Sequence, residues 1–253
     1  MCWGALNTTI PGARRGRVQL VVLEHLKVPQ IFVQHWQRNV MGLISFASES
    51  FRRSSLYRAL RRRRHKAEFR RWERNGRSTA PPHLVKQGVI RRYAAMHRCS
   101  TLVETGTFRG DMLLAMLDDF RTLYSIELHP KLHSRAQQLF RDQPKVRLLQ
   151  GDSGEKISDV LADLNEPAVF WLDGHFSAGN TARADLNTPI IAELDKVLKH
   201  RIPNHVVLID DARLFTGEDD YPTIEAIRSQ LARTGQFNLS VENDVIAITR
   251  RAA

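Results

Sequence analysis

The chain has 253 residues, 42% of them apolar and 26% charged, with a net charge of +11 and only two cysteines. That composition suits a soluble globular protein able to bury a sizeable core. Cys2 and Cys99 are too few and too far apart for a disulfide framework or a zinc site, which points to a reducing, cytoplasmic location. The most apolar early run, residues 19–33, is broken by Glu24, His25, Lys27 and Pro29, so neither a membrane span nor a signal segment is expected.

Charge divides the chain. The first hundred residues carry 21 basic against 4 acidic side chains, and the remainder 17 against 23. Residues 1–77 therefore read as a basic N-terminal extension, 78–100 as a linker and lead-in helix, and 101–253 as the principal domain. Residues 1–40 lack periodicity and are expected to be disordered or untranslated, with Met41 as an alternative start. The densest basic stretch, residues 51–77, holds Arg61-Arg62-Arg63-Arg64 interleaved with Leu56, Leu60, Phe69 and Trp72. It suits an anionic partner, whether RNA, a membrane surface that would place the protein peripherally there, or an acidic protein. It equally suits a solvated helix lying over the acidic part of the same chain. The cluster Asn75-Gly76-Arg77-Ser78-Thr79-Ala80-Pro81-Pro82 breaks the pattern, and the spacing of Leu84, Val85, Val89, Ile90 and Tyr93 predicts a helix over 83–97.

From Thr101 strands and helices alternate. Strands are expected near 101–104, 122–127, 145–150, 167–172, 205–210, 236–241 and 244–249, with helices near 111–119, 131–141, 154–164, 189–200 and 222–233. Only Glu242-Asn243-Asp244 separates the last two strands, which makes them a hairpin. The fold class is α/β: a doubly wound, mostly parallel seven-stranded sheet closed by an antiparallel C-terminal hairpin.

The segment Val103-Glu104-Thr105-Gly106-Thr107-Phe108-Arg109-Gly110 reads as a strand end, a glycine turn and a helix start, the arrangement of a nucleotide-cofactor loop. Gly106 permits a tight turn at positive φ, and Gly110 lets the next helix begin close against the sheet. Glu127 ends the second strand 21 residues after Gly106, where a carboxylate can bind ribose hydroxyls. Glu104 selects among cofactors, because a carboxylate here repels a pyrophosphate and attracts a cationic amino-acid end. S-adenosylmethionine is therefore favoured over a dinucleotide. Farther on, Asp173-Gly174-His175 follows the fourth strand and Asp210-Asp211 the fifth. Three carboxylates on one rim repel one another unless a divalent cation joins them, and an all-oxygen set suits Mg²⁺ or Mn²⁺. Capping of the following turns is the alternative for each aspartate taken singly.

Over roughly residues 101–250 these motifs resemble the class I S-adenosylmethionine-dependent methyltransferases. Glu104 and Gly106 match the first motif, Glu127 the ribose-binding acid, and Asp152 in Gly151-Asp152-Ser153 the residue near the adenine amino group. The loop reads Glu-x-Gly-x-x-x-Gly, one glycine short of that family's pattern. The strand-four and strand-five aspartates resemble those of the metal-dependent, macrocin-type O-methyltransferases, which implies Asp173, Asp210 and Asp211 as metal ligands. That family places an aspartate as general base two residues after the first ligand, and here the position is His175, an imidazole able to take the same proton. The resemblance implies the methyltransferase variant of the Rossmann fold and O-methylation of a hydroxylated small molecule such as a sugar or polyketide. An RNA methyltransferase using the basic arm and a non-catalytic binding protein of the same fold are the alternatives.

Overall fold

The fifth strand-like run closes the parallel part of the sheet and the last one is inserted beside it, as the computed structural model shows. It describes residues 49–173, 189–218 and 221–251. In chain order the elements are α1 Glu49–Arg52, α2 Ser55–Arg74, α3 His83–His97, β1 Thr101–Thr105, α4 Asp111–Met116, β2 Thr122–Glu127, α5 Pro130–Phe140 and β3 Val146–Gln150. There follow α6 Ser153–Asp163, β4 Ala168–Leu172, α7 Ile190–Leu198, β5 Val206–Ile209, a 3₁₀ turn Ala212–Leu214, α8 Ile224–Ala232, β6 Phe237–Glu242 and β7 Val245–Arg250. The seven strands lie in the order β3-β2-β1-β4-β5-β7-β6. The first five are parallel, whereas β7 runs antiparallel to both β5 and β6. The expected fold class is observed.

Strand alternation builds two apolar layers. Val103, Ile126, Phe170, Leu172, Val207 and Ile209 face α6, α7 and α8 through Ile157, Leu194 and Ile227. Leu102, Leu123, Val169, Trp171, Val206 and Leu208 face α3, α4 and α5 through Ile90, Leu113 and Leu139. β4 is buried at every position, as a central strand covered on both faces must be, and Trp171 is core. Each such side chain contributes roughly 1.5–3 kcal/mol of transfer free energy. The β6–β7 turn is Asn243-Asp244, both at positive φ (49° and 61°), the conformation whose twist matches a two-residue hairpin. α4 stops at Met116, three residues short of expectation, because the chain turns at Asp119 to bury Phe120.

The basic stretch is mostly one helix. Ser54 caps α2 by accepting from the Tyr57 N–H at 3.1 Å, and Tyr57, His65 and Trp72 form its buried side. The linker is tied back where the Trp72 indole N–H donates to the Thr79 carbonyl at 2.8 Å. Four of the segment's arginines meet carboxylates of the sheet region: Arg52 and Arg61 on Asp111, Arg53 on Asp142, and Arg62 on Asp118. Part of its charge is thus compensated within the chain, as the solvated-helix reading expects. A single compact unit, Ser48–Ala253, holds α2 together with the sheet. No helix among the described residues is long and apolar enough to cross a membrane.

Candidate functional site

Parallel strands deliver their carboxyl ends to one edge, and five of them do so here with polar residues. At β1 the chain leaves through Gly106 at φ +83°, and both the Gly106 and Thr107 N–H groups donate to the Ile126 carbonyl. The loop then closes on itself with Gly110 N–H to Thr107 carbonyl at 2.7 Å. Gly110, at φ +69°, caps α4. Its close neighbours are Phe140 and Leu139 of α5, so the approach it allows is of helix to helix and not, as expected, of helix to sheet, because α5 lies between this helix start and the strands.

Glu104 lies on the α3–α5 face, beside Ser125 on β2 and Trp171 on β4 in the strand register. It is 3% exposed, and its Oε2 accepts from the Ser125 hydroxyl at 2.7 Å, with Thr107 Oγ1 a further 2.6 Å from Ser125. Burial raises the Glu104 carboxyl well above its usual range; the Ser125 bond opposes this, and the charges of Asp173, Glu127 and Asp111 add to it. By linkage, the stability this carboxyl contributes is present at low pH and lost as pH rises through its elevated value. A bound cation favours the charged form. Should the cationic end of a cofactor meet Glu104, its binding is expected to release protons over the pH range in which this carboxyl titrates, measurable by calorimetry in buffers of different ionisation enthalpy. Glu104→Gln should abolish the release, and binding without proton exchange in the native protein would show that no cation meets Glu104.

Glu127 is buried at the end of β2, where Oε2 accepts from the Phe108 N–H at 2.7 Å and Oε1 from the His129 N–H at 2.8 Å. The carboxylate thus ties the glycine loop to the start of α5, leaving a second lone pair on each oxygen for a ligand hydroxyl. Asp152, after β3, caps α6 by accepting from the Gly154 N–H at 2.7 Å.

At β4 and β5, ligand oxygens of Asp173, Asp210 and Asp211 lie within 4.8 Å of one another. The sheet sets this spacing: the Asp173 N–H donates to the Thr105 carbonyl and the Asp210 N–H to the Leu172 carbonyl. Asp211 adopts φ +56°, and its N–H donates to Asp210 Oδ1 at 2.8 Å. Burial, reinforced by Asp173, pushes the Asp210 carboxyl up to about 7, against the pull of Lys86. Burial also pushes Asp211 up, but Lys86 and Arg213 outweigh it and hold Asp211 below the usual range. His175 lies outside the described residues.

Sequence reasoning missed two groups. Lys86, in the first turn of α3, donates to Asp210 Oδ2 at 2.6 Å and to Asp211 Oδ1 at 3.0 Å. A helix leading into a parallel strand begins at the strands' carboxyl edge, so a cation in its first turn was the available signal. Glu193 of α7 is fully buried, with the hydroxyls of Thr105 and Ser153 close but outside hydrogen-bonding geometry. Burial pushes its carboxyl up to about 7.

The sheet order, the terminal hairpin and the polar carboxyl edge define the methyltransferase variant of the Rossmann fold. Among solved structures, the chain is similar to an O-methyltransferase from Bacillus cereus in complex with SAH, at 15% identity over 71% of this chain and 88% of that one, with a TM-score of 0.50. It is also similar to the O-methyltransferase TomG from Streptomyces achromogenes, in complex with SAM (16% identity, 66% and 80% covered, TM-score 0.44). The 23S rRNA methyltransferase ErmE is a further neighbour (18%, 65% and 68%, 0.42). At 15% identity the likeness to the Bacillus cereus structure is one of fold. No family model matches the chain, and no curated protein matches it by sequence.

Proposed function

We propose that the chain is an S-adenosylmethionine-dependent methyltransferase acting on a hydroxyl of a small molecule, with a divalent cation, Mg²⁺ or Mn²⁺, at the aspartate rim. The observation that supports this most is the convergence of Glu104, Glu127 and the three aspartates on one sheet edge around a glycine turn. In this reading Glu104 faces the cationic amino-acid end of the cofactor, and Glu127 accepts from the ribose hydroxyls. Gly106 and Gly110 shape the loop, and Asp152 borders the adenine. Asp173, Asp210 and Asp211 fit a hard cation in donor type and spacing, as all-oxygen ligands with Asp210 and Asp211 buried and Asp173 half-buried. When bound, the cation polarises the substrate hydroxyl and lowers its pKa.

The chain's own part is to hold donor and acceptor in line and to accept the hydroxyl proton. We assign that last role to His175, two residues beyond Asp173. The cofactor would supply the methyl group from its sulfonium sulfur, and the imidazole of His175 would accept the proton lost by the substrate hydroxyl.

Calorimetry with S-adenosylmethionine, with and without Mg²⁺, tests the cofactor assignment, and a methyl-transfer screen over hydroxylated metabolites tests the reaction. Binding and metal-stimulated transfer are expected. No cofactor binding under either condition would overturn the reading.

A further inference from the structure

The aspartate rim already holds a cation that belongs to the chain. Lys86 reaches it from α3, 124 residues before Asp210 in sequence, and its ammonium bridges Asp210 Oδ2 and Asp211 Oδ1 at 2.6 and 3.0 Å. The contact is sheltered, with the Lys86 side chain 16% exposed and that of Asp210 3%. Arg213 adds a second donor to the same Asp211 oxygen at 2.9 Å, and Asp210 Oδ1 is engaged by the Asp211 N–H. Both oxygens of Asp210 and Oδ1 of Asp211 thus already accept from groups of the chain, and the ammonium sits between the two carboxylates a divalent ion would have to bridge.

We propose that Lys86 is a built-in occupant of the cation position between Asp210 and Asp211, which a divalent ion must displace in order to bind. The inference rests on the metal reading given above. Its physical basis is exclusion by charge and by space. A dication and an ammonium on the same oxygens repel twice as strongly as two unit charges at that distance, and little water separates them in a sheltered site. Each carboxylate oxygen also has a limited number of lone pairs, and Asp211 Oδ1 already accepts from two cations. Lysine suits such a role better than arginine. Its ammonium is a single point charge on a flexible four-carbon stem, able to swing away without breaking a paired, planar contact. The stem is anchored by helix α3, whose Val89 and Ile90 are packed in the core, so displacement moves the side chain and leaves the helix in place. Lys86 then serves two states: it offsets part of the charge of Asp210 and Asp211 without a metal, and it sets a threshold on the divalent-ion concentration at which the rim is loaded.

The test is a calorimetric Mn²⁺ titration of the full chain and of Lys86→Met, a substitution that keeps the bulk and removes the charge. Lys86→Met is expected to bind Mn²⁺ at least tenfold more tightly than the native protein. Equal or weaker binding by the variant overturns the displacement proposal and leaves the metal reading standing. Failure of both proteins to bind Mn²⁺ overturns the metal reading and the proposal with it. If Lys86→Met does not fold, the native protein decides the question through acylation of Lys86 followed by mass spectrometry. The bridged ammonium should react slowly, and saturating Mn²⁺ should accelerate its labelling several-fold while other lysines are unchanged. Mn²⁺ binding with no change in Lys86 reactivity overturns the proposal.

Discussion

Gly110→Ala is expected to destabilise the protein by about 2–5 kcal/mol, combining roughly 1–2 kcal/mol for a left-handed alanine with roughly 1–3 kcal/mol for overpacking. Gly110 stands at φ +69°, and a Cβ there would lie 2.8 Å from Phe140 Cε2 and 3.2 Å from Leu139 Cδ2. Neither neighbour can yield easily, since Phe140 is 4% and Leu139 2% exposed in the layer between α5 and the sheet. Gly76 supplies the control. Its φ is +67°, but nothing lies within 4 Å of a Cβ placed on it, so Gly76→Ala should bear the conformational cost alone. Thermal melts of the two variants separate the terms, with Gly110→Ala falling roughly 5–15 °C below the native Tm. Equal melting of the two variants would show that α5 gives way.

Glu127→Ala is expected to weaken S-adenosylmethionine binding by roughly 1.5–3 kcal/mol through loss of charge-assisted hydrogen bonds to the ribose. The structure adds a second cause. Removing the carboxylate also leaves the Phe108 and His129 N–H groups without their acceptor, which loosens the glycine loop against α5. Cofactor affinity should therefore fall together with protection of the Phe108 amide from hydrogen exchange. A folded variant with unchanged affinity would show that the end of β2 does not face the ligand.

Much of the fold could be read from the sequence because its signals are local. Strand alternation in Val103, Phe170 and Val207, the breaker run before Leu84 and the short connection at Asn243-Asp244 each involve neighbours in the chain. The same holds for the clustering at the carboxyl edge, since Glu104, Glu127, Asp173 and Asp210 each stand at or next to the end of an apolar run. The side-chain contacts were not legible. Gly110 announces a close approach without naming Phe140, which lies 30 residues on. The run of arginines at 61–64 does not reveal that Arg61, together with Arg52, grips Asp111 at the head of α4, with Arg52 also donating to the Arg109 carbonyl. Lys86 could be placed at the carboxyl edge from its position in the first turn of the lead-in helix, but its pairing with the aspartates depends on the crossing of α3 over β4 and β5.

The position of β7 bears on how the protein matures as it is made. This strand lies between β5 and β6, and the turn before it clips the Asp210–Asp211 loop: the Ala212 N–H donates to the Asp244 carbonyl and the Arg213 N–H to Asp244 Oδ1, each at 2.8 Å. While the ribosome is still adding Phe237–Glu242, β5 has an open edge, and the loop carrying two of the three rim aspartates lacks its fastener. The glycine loop after β1 has its own partner, the Ile126 carbonyl, more than a hundred residues earlier in the chain. Until β7 emerges, β5 therefore offers an unpaired edge to another chain, and the Asp210–Asp211 loop gains its fastener only with the last strand of the sheet.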